Sequence, residues 1–215
     1  MNARRLFLFN AIIFIVIIVA GFVGYYFYNQ STLYLTTDDA QITGQEITIA
    51  SPVAGKLTNW NGTVGSTFKS GDTAGVVQTE VNGKPQDINI TMPQNGTIAQ
   101  NTAVTNEFVG PGTPLAYAFD MKNLWVTANI KETQISSVKP GQSVDVSVDA
   151  YPGRIQGTVD SIGLATANTF SLLPSQSTTA DFTKVTQVIP VKITIQGYQG
   201  IGLTPGMSVT VKIHK

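Results

Sequence analysis

The N-terminal part of the chain contains a long run of apolar residues. Residues 6–28 form a 23-residue stretch in which Asn10 is the one strongly polar side chain. As an α-helix this run would be roughly 34 Å long, which is enough to cross the hydrocarbon core of a bilayer. It ends in the aromatic cluster 25–28, and aromatic residues concentrate at membrane interfaces. The pattern predicts a transmembrane helix over 6–28.

Charges near this run indicate how the helix would be oriented. Arg4 and Arg5 precede it, and no charged residue follows them until Asp38. Because basic residues stay on the cytoplasmic side, we expect the N-terminus inside the cell and the chain from residue 29 onward outside it. A cleaved signal peptide is the alternative, but its apolar core is usually about 7–15 residues long and ends in small residues.

Beyond residue 45 the apolar positions form short segments separated by Gly, Pro and Asn, a pattern typical of β-strands and tight turns. The segment from Glu46 to Ala118 contains this pattern twice, at a constant offset along the chain. The pairs that show the offset are Pro52 and Pro93, Gly55 and Gly96, Leu57 and Ile98, and Gly71 and Gly112. Two equivalent half-sheets packed face to face would make a small β-sandwich.

A second repeat lies in the C-terminal half of the chain. Residues 138–146 recur as 203–211, and each copy is a Pro-Gly turn followed by alternating valine and polar positions. These strands, with Thr37–Ile42 as an additional strand, predict a small β-barrel. The predicted fold class is all-β with one N-terminal transmembrane helix. The predicted domains are a cytoplasmic N-terminus (1–5), the helix (6–28), a linker with the first barrel strand (29–45), the sandwich (46–118) and the barrel (119–215).

Composition narrows the classes of function. The chain has 13 basic and 13 acidic residues, which argues against a broad surface for nucleic acid. It contains no cysteine, which excludes disulfides, thiolate zinc sites and iron–sulfur clusters. His214 is its single histidine, which argues against a multi-histidine metal site and Ser–His catalysis. We therefore predict no enzyme activity, no catalytic residue, no cofactor and no metal.

The motifs, taken in order along the chain, resemble a known family. The Pro-x-x-Gly half-repeat resembles the lipoyl/biotinyl fold divided into halves. The motif set resembles the EmrA branch of the membrane fusion proteins of the EmrA/HlyD type, also called periplasmic adaptors. The motifs that carry this resemblance are Thr37-Asp38-Asp39-Ala40, Lys131-Glu132-Thr133-Gln134, Pro140-Gly141-Gln142, Phe170 to Pro174, and Ile189 to Ile193.

The resemblance implies a function and a set of partners. The chain would be the adaptor subunit of a multidrug efflux or secretion system. It would form an exported homo-oligomeric collar on a membrane transporter, with a major facilitator transporter favoured and an ABC transporter as the other option. An anchored β-module that binds a wall polymer or a protein is an alternative that the sequence leaves open.

The segment between the two sandwich halves departs from the family. Usual members insert a long α-helical hairpin there, but here residues 78–87 contain Asn82-Gly83 and Pro85 and predict a β-turn. Docking to an outer-membrane channel is therefore not expected. Lys84 lies near the place of the modified lysine in biotin and lipoyl carriers. Its neighbours differ from those that flank the carrier lysine, so a carrier modified at Lys84 is the least favoured alternative.

Two acidic residues just after the helix are candidate contacts. Asp38 and Asp39 are adjacent, so on a strand they would point to opposite faces and would not form a catalytic carboxylate pair. We expect either a contact with another subunit or the transporter, or simply a polar start to a strand.

Two further segments are candidate contacts with the same partners. Lys131, Glu132 and Gln134 either lie on one strand over 124–135 or form a loop at a transporter-facing rim. Apolar side chains also interrupt the polar segment 166–183, and such loops often carry function. That apolar stretch would either pack over the end of the barrel or contact a partner, and its candidate contacts are Phe170, Leu172 and Leu173.

Overall fold

The computed structural model describes residues 3–170 and 186–215. It begins with helix α1, Ala3–Leu33, which extends beyond both ends of the predicted 6–28. Within these described residues, no helix is both long enough and apolar enough to cross a membrane. The elements that follow in these parts are β-strands and two short 3-10 helices, Ile135–Ser137 and Ala167–Phe170.

The chain divides into two compact units, which are described separately. The first unit comprises Met1–Ala40, Ala128–Ile193 and Val209–Lys215, and the second comprises Gln41–Thr127 and Thr194–Ser208.

Two four-stranded sheets of the second unit form a sandwich. Their strand orders are β3-β10-β8-β5 and β7-β6-β4-β9. The strands are β3 Glu46–Ala50, β4 Gly55–Trp60, β5 Thr67–Phe68, β6 Thr73–Val81, β7 Lys84–Thr91, β8 Gly96–Asn101, β9 Phe108–Val109 and β10 Pro114–Phe119.

The constant offset found in the sequence recurs in the pairing of these strands. Thr67 pairs with Thr97, and at the equivalent positions of the repeat Phe108 pairs with Lys56. The short strand β5 of the first half therefore pairs with β8 of the second half, and the short strand β9 of the second half pairs with β4 of the first. This exchange of strands holds the two halves together, because each sheet contains strands from both halves.

Apolar side chains from both sheets fill the space between them. Leu57 and its repeat partner Ile98 are both almost completely buried, and so are Val77 and Ile90. Burying a side chain of this size contributes about 1.5–3 kcal/mol each to the stability of the fold. The sandwich therefore has a core of its own, drawn equally from its two halves.

A seven-stranded sheet contains the remaining strands, in the order β1-β15-β12-β13-β14-β11-β2. Strands β1 and β2 lie at opposite ends of this order, yet only two residues separate them in the chain, so the sheet is nearly closed into a barrel. The strands are β1 Tyr34–Thr37, β2 Ala40–Thr43, β11 Trp125–Lys131, β12 Ser143–Val148, β13 Ile155–Ile162, β14 Val188–Ile195 and β15 Val209–His214. The expectation of an all-β sandwich with a small barrel is confirmed.

Candidate contact site for partners

Helix α1 joins the first unit at one end of its strands, which we call the α1 end. The helix ends at Leu33 and β1 begins at Tyr34, so no linker separates them. Tyr34 pairs with His214, and the amide of Lys215 donates a hydrogen bond to the carbonyl of Leu33 over 2.8 Å. These backbone contacts fix the place where the helix leaves the sheet.

The connection from β11 to β12 lies at the same end. Val144, near the start of β12, pairs with Ile213, which adjoins His214 in β15. Residues 132–142 must therefore cross the α1 end, because they lead from the end of β11 to the start of β12.

The candidate residue Lys131 ends β11, and the candidates Glu132 and Gln134 lie in this connection; all three are exposed. The amide of Gln134 donates to the carbonyl of Lys131 over 2.8 Å, and the amide of Glu132 donates to the carbonyl of Gln187 over 2.9 Å. The alternative of a single strand over 124–135 is wrong, because the chain turns at this point. The turn leaves all three side chains pointing away from a fixed backbone.

The connection after β13 also belongs to the α1 end. Thr158 of β13 pairs with Ser143, and β13 continues to Ile162, past the start of β12. The amide of Gly163 then donates to the carbonyl of Pro190 over 2.8 Å. Of the candidates in this connection, Leu172, Leu173 and the side chain of Phe170 lie outside the described residues.

Asp38 and Asp39 lie between β1 and β2, and the expectation that they sit on a strand is wrong. The side chain of Asn129 donates to the Asp39 carboxylate over 3.0 Å, and the Asn129 amide donates to the Asp39 carbonyl over 2.8 Å. The Thr37 hydroxyl accepts a hydrogen bond from the Asp39 amide over 3.2 Å. The two hydrogen bonds that involve side chains compete with regular backbone pairing at Asp39, and the strand is interrupted there, between β1 and β2. Asp38 is left exposed on the outside of the bend.

A polar cluster on the outer face of the first unit was not predicted. The His214 ring lies 3.1 Å from the Asp145 carboxylate, and it packs edge-on against the Tyr34 ring at 4.9 Å between centroids. The Lys212 ammonium lies 3.8 Å from the centroid of the same Tyr34 ring. The alternation along β15 is the available sequence signal, since it places Lys212 and His214 on one face. It does not indicate which strand lies beside them.

Electrostatics in this cluster favour an ionised carboxylate. The hydrogen bond from His214 lowers the pKa of Asp145 below its ordinary value, against a smaller opposing effect of burial. The side-chain amide of Gln156 donates to the same carboxylate over 3.0 Å and also lowers its pKa. The cluster ties β15 to β12 and to β1. Within residues 3–170 and 186–215, no group of three or more acidic or histidine side chains is arranged to hold a metal ion.

The connection between the two sandwich halves is a β-hairpin. Strands β6 and β7 pair through to Val81 and Lys84, around a two-residue turn at Asn82-Gly83. Both turn residues have positive φ, 54° and 75°, as a type I′ turn requires. The prediction of a β-turn in place of a helical hairpin is confirmed. Lys84 is exposed at the tip.

Comparison with known families identifies both β regions. Residues 46–120 match the model described as the YhbJ barrel-sandwich hybrid domain. Residues 123–214 match the model described as the AAEA-like β-barrel domain. A barrel-sandwich hybrid followed by this barrel is the architecture of the adaptor class of proteins.

Individual relatives agree with this class. The chain is 42% identical over 216 residues to the putative efflux system component YhbJ of Bacillus subtilis, covering 100% of this chain and 95% of the relative. It is 37% identical over 128 residues to the probable multidrug resistance protein EmrK of Escherichia coli, covering 58% of this chain but only 33% of EmrK. The chain belongs to the membrane fusion protein family, as a relative of the putative efflux system component YhbJ.

Solved structures support the fold. The periplasmic adaptor protein EmrA aligns with a TM-score of 0.56 and 12% identity, over 85% of this chain and 98% of that one. The membrane fusion protein Spr0693 of Streptococcus pneumoniae aligns with a TM-score of 0.60 and 13% identity, over 85% and 99%. The resemblance to the EmrA branch is confirmed. Adaptors of this family are not enzymes, in agreement with the prediction from composition.

Proposed function

We propose that the chain is a membrane-anchored adaptor whose α1 end sits on an efflux transporter in the cytoplasmic membrane. The observation that carries this proposal is the convergence of three features at one end of the first unit. These are the exit of helix α1, the exposed turn over 131–134 and the connection after β13.

Helix α1 is proposed to be the single transmembrane anchor. Its described side chains, residues 12–26, are exposed and almost all apolar, with Phe14 at 66% and Phe22 at 73% exposure. A helix that is apolar on every side needs a membrane or a protein core around it. With Arg4 and Arg5 on the cytoplasmic side, both β regions would be exported.

The exposed turn is proposed to contact the transporter. Lys131, Glu132 and Gln134 present one cation, one anion and one amide from a backbone fixed by hydrogen bonds. Charged side chains of both signs on a fixed turn favour a specific orientation of a partner. Asp38, Phe170, Leu172 and Leu173 are proposed as further contacts, either with the transporter or with a neighbouring copy in an oligomeric collar.

The partner is proposed to be a transporter of the major facilitator type, on the strength of the resemblance to the EmrA branch. A multidrug export protein EmrA of Escherichia coli is 34% identical over 129 residues. The short β6–β7 hairpin offers no long coiled coil, so we propose no docking to an outer-membrane channel.

Affinity capture tests this proposal. The tagged chain is recovered from its native membrane in mild detergent, and the proteins that accompany it are identified by mass spectrometry. We expect a polytopic transporter at comparable abundance, and its class would identify the energy source. A variant with Lys131, Glu132 and Gln134 changed to alanine should recover less transporter, whereas Asp149→Ala, at the opposite end of the first unit, should recover as much as the unchanged chain. A bait that runs as a monomer without a transporter would refute the collar.

A further inference from the structure

We propose that the α1 end of the first unit also touches the lipid surface beside the transporter, with Leu164 among the lipid headgroups and Lys139 beside their phosphates. This placement rests on the proposed role of α1 as a membrane anchor. The partner is an anionic bilayer surface, and the contact is separate from the contact with the transporter.

Leu164 is the unusual residue at this end. It lies two residues after the end of β13 and is fully exposed, with 105% of its reference surface accessible. Its neighbour Gly163 is held by the hydrogen bond to the Pro190 carbonyl, and a side chain at Gly163 would meet the Pro190 ring at 2.9 Å. The chain is therefore fixed immediately before Leu164, and the leucine projects from a defined position.

A single exposed leucine is ordinary on a protein surface. Leu164 differs because it shares its end of the unit with the exit of α1, where Leu33 is also 44% exposed. Since β1 begins at the residue after the helix, only residues 29–33, about 7 Å of helix, separate the apolar run from β1, so this end stays close to a membrane that α1 crosses. Leu164 would then lie at the depth where leucine is found in proteins that bind a membrane surface.

Charge supplies the second half of the interface. Lys139 is exposed in the connection that crosses the α1 end, and Glu132 is the one acidic residue of that connection. Lysine side chains can lay their apolar stems along lipid while the ammonium reaches the phosphate level. Each such lysine near an anionic leaflet contributes to attraction that falls off within a Debye length.

The turn at the opposite end of the first unit has no exposed leucine. This turn joins β12 to β13, spans residues 149–154 and exposes Asp149 and Arg154, whose charges cancel. A turn without net charge gains no attraction to an anionic surface. The exposed leucine close to the exit of α1 therefore distinguishes the α1 end as the end that meets the membrane.

Fluorescence quenching on labelled chains tests the placement. The chain has no cysteine, so Leu164→Cys and Asp149→Cys each provide one attachment point for an environment-sensitive dye. Each labelled chain is reconstituted into vesicles of equal parts phosphatidylcholine and phosphatidylglycerol that contain a headgroup spin label. We expect the dye at position 164 to be quenched at least about twofold more than the dye at position 149, because only the former would reach the headgroups. Lys139→Gln should reduce the difference.

The outcomes separate this proposal from the anchor on which it rests. Extraction of the chain from the vesicles by alkaline carbonate would refute the anchor. Retention after carbonate with equal quenching at both positions, and free access of iodide to position 164, would overturn the lipid contact alone. Protection of position 164 from iodide in native membranes but not in the vesicles would assign the surface to a protein partner and likewise overturn the proposal.

Discussion

The sandwich of the second unit and the seven-stranded sheet are assembled in different ways. Each half of the sandwich repeats the other at a constant offset, and the backbone bonds repeat with it. The amide of Gly65 donates to Ile98 and, at the equivalent positions of the repeat, the amide of Asn106 donates to Leu57. In the seven-stranded sheet, β1 and β15 pair although most of the chain lies between them. Local repetition builds one region, and long-range pairing builds the other.

Removing one core side chain from each region should separate the contributions of the two. Ile98→Ala in the sandwich and Ile213→Ala in the first unit each create a cavity where exposure is at most 1%. We expect each substitution to lower the free energy of unfolding by about 2–5 kcal/mol. If the regions unfold separately, each substitution lowers its own transition in a thermal scan of the chain in detergent. A single transition that shifts equally for both would show that the regions unfold as one.

The two sandwich halves should respond differently to substitution at one pair of equivalent glycines, Gly55 and Gly96. A side chain at Gly55 would collide with the Gln78 carbonyl and lie 2.7 Å from Val77, whereas at Gly96 the nearest atom is the flexible end of Ile47 at 3.0 Å. The backbone carbonyl of Gln78 is held in a paired strand and cannot move aside as easily as the terminal methyl group of Ile47 can. We expect Gly55→Ala to cost about 1–3 kcal/mol and Gly96→Ala clearly less, measured by urea unfolding. Equal losses would mean that the halves are packed alike at these positions.

The two regions also differ in how much of them the sequence predicts. The turn at Asn82-Gly83 and the offset between Leu57 and Ile98 are local features, so pattern alone finds them. The break at Asp39 depends on Asn129, which is 90 positions away in the chain, and no local pattern contains that information. The turn that follows Lys131 also depends on a residue distant in the sequence, because the carbonyl of Gln187 accepts a hydrogen bond from the amide of Glu132.

The polar cluster shows the same limit for the candidate contacts. His214 is visible as the single histidine, but its partner Asp145 is 69 positions away. Only the pairing of β12 with β15 brings the two residues together. Sequence reasoning therefore identified exposed turns as candidate contacts, and it missed the hydrogen bonds between strands on either side of those turns.

The Asp145–His214 contact should make the first unit sensitive to acid. Since the pKa of Asp145 is lowered in the folded chain, the ionised carboxylate stabilises the fold above its ordinary pKa of about 4, and this contribution is lost as pH falls through the lowered value. Asp145→Asn removes that dependence. We expect its melting temperature to fall less than that of the unchanged chain between about pH 5 and pH 2.

Asp160→Asn is the matched control, because Asp160 and its partner Lys192 are about half exposed and lie 3.6 Å apart. An exposed pair of this kind contributes about 0–1 kcal/mol, so the acid profile of this variant should follow that of the unchanged chain. If Asp160→Asn flattened the profile as much as Asp145→Asn, the acid sensitivity would belong to the surface charge as a whole. If neither variant changed the profile, the His214 contact would have no measurable effect on the stability of the first unit.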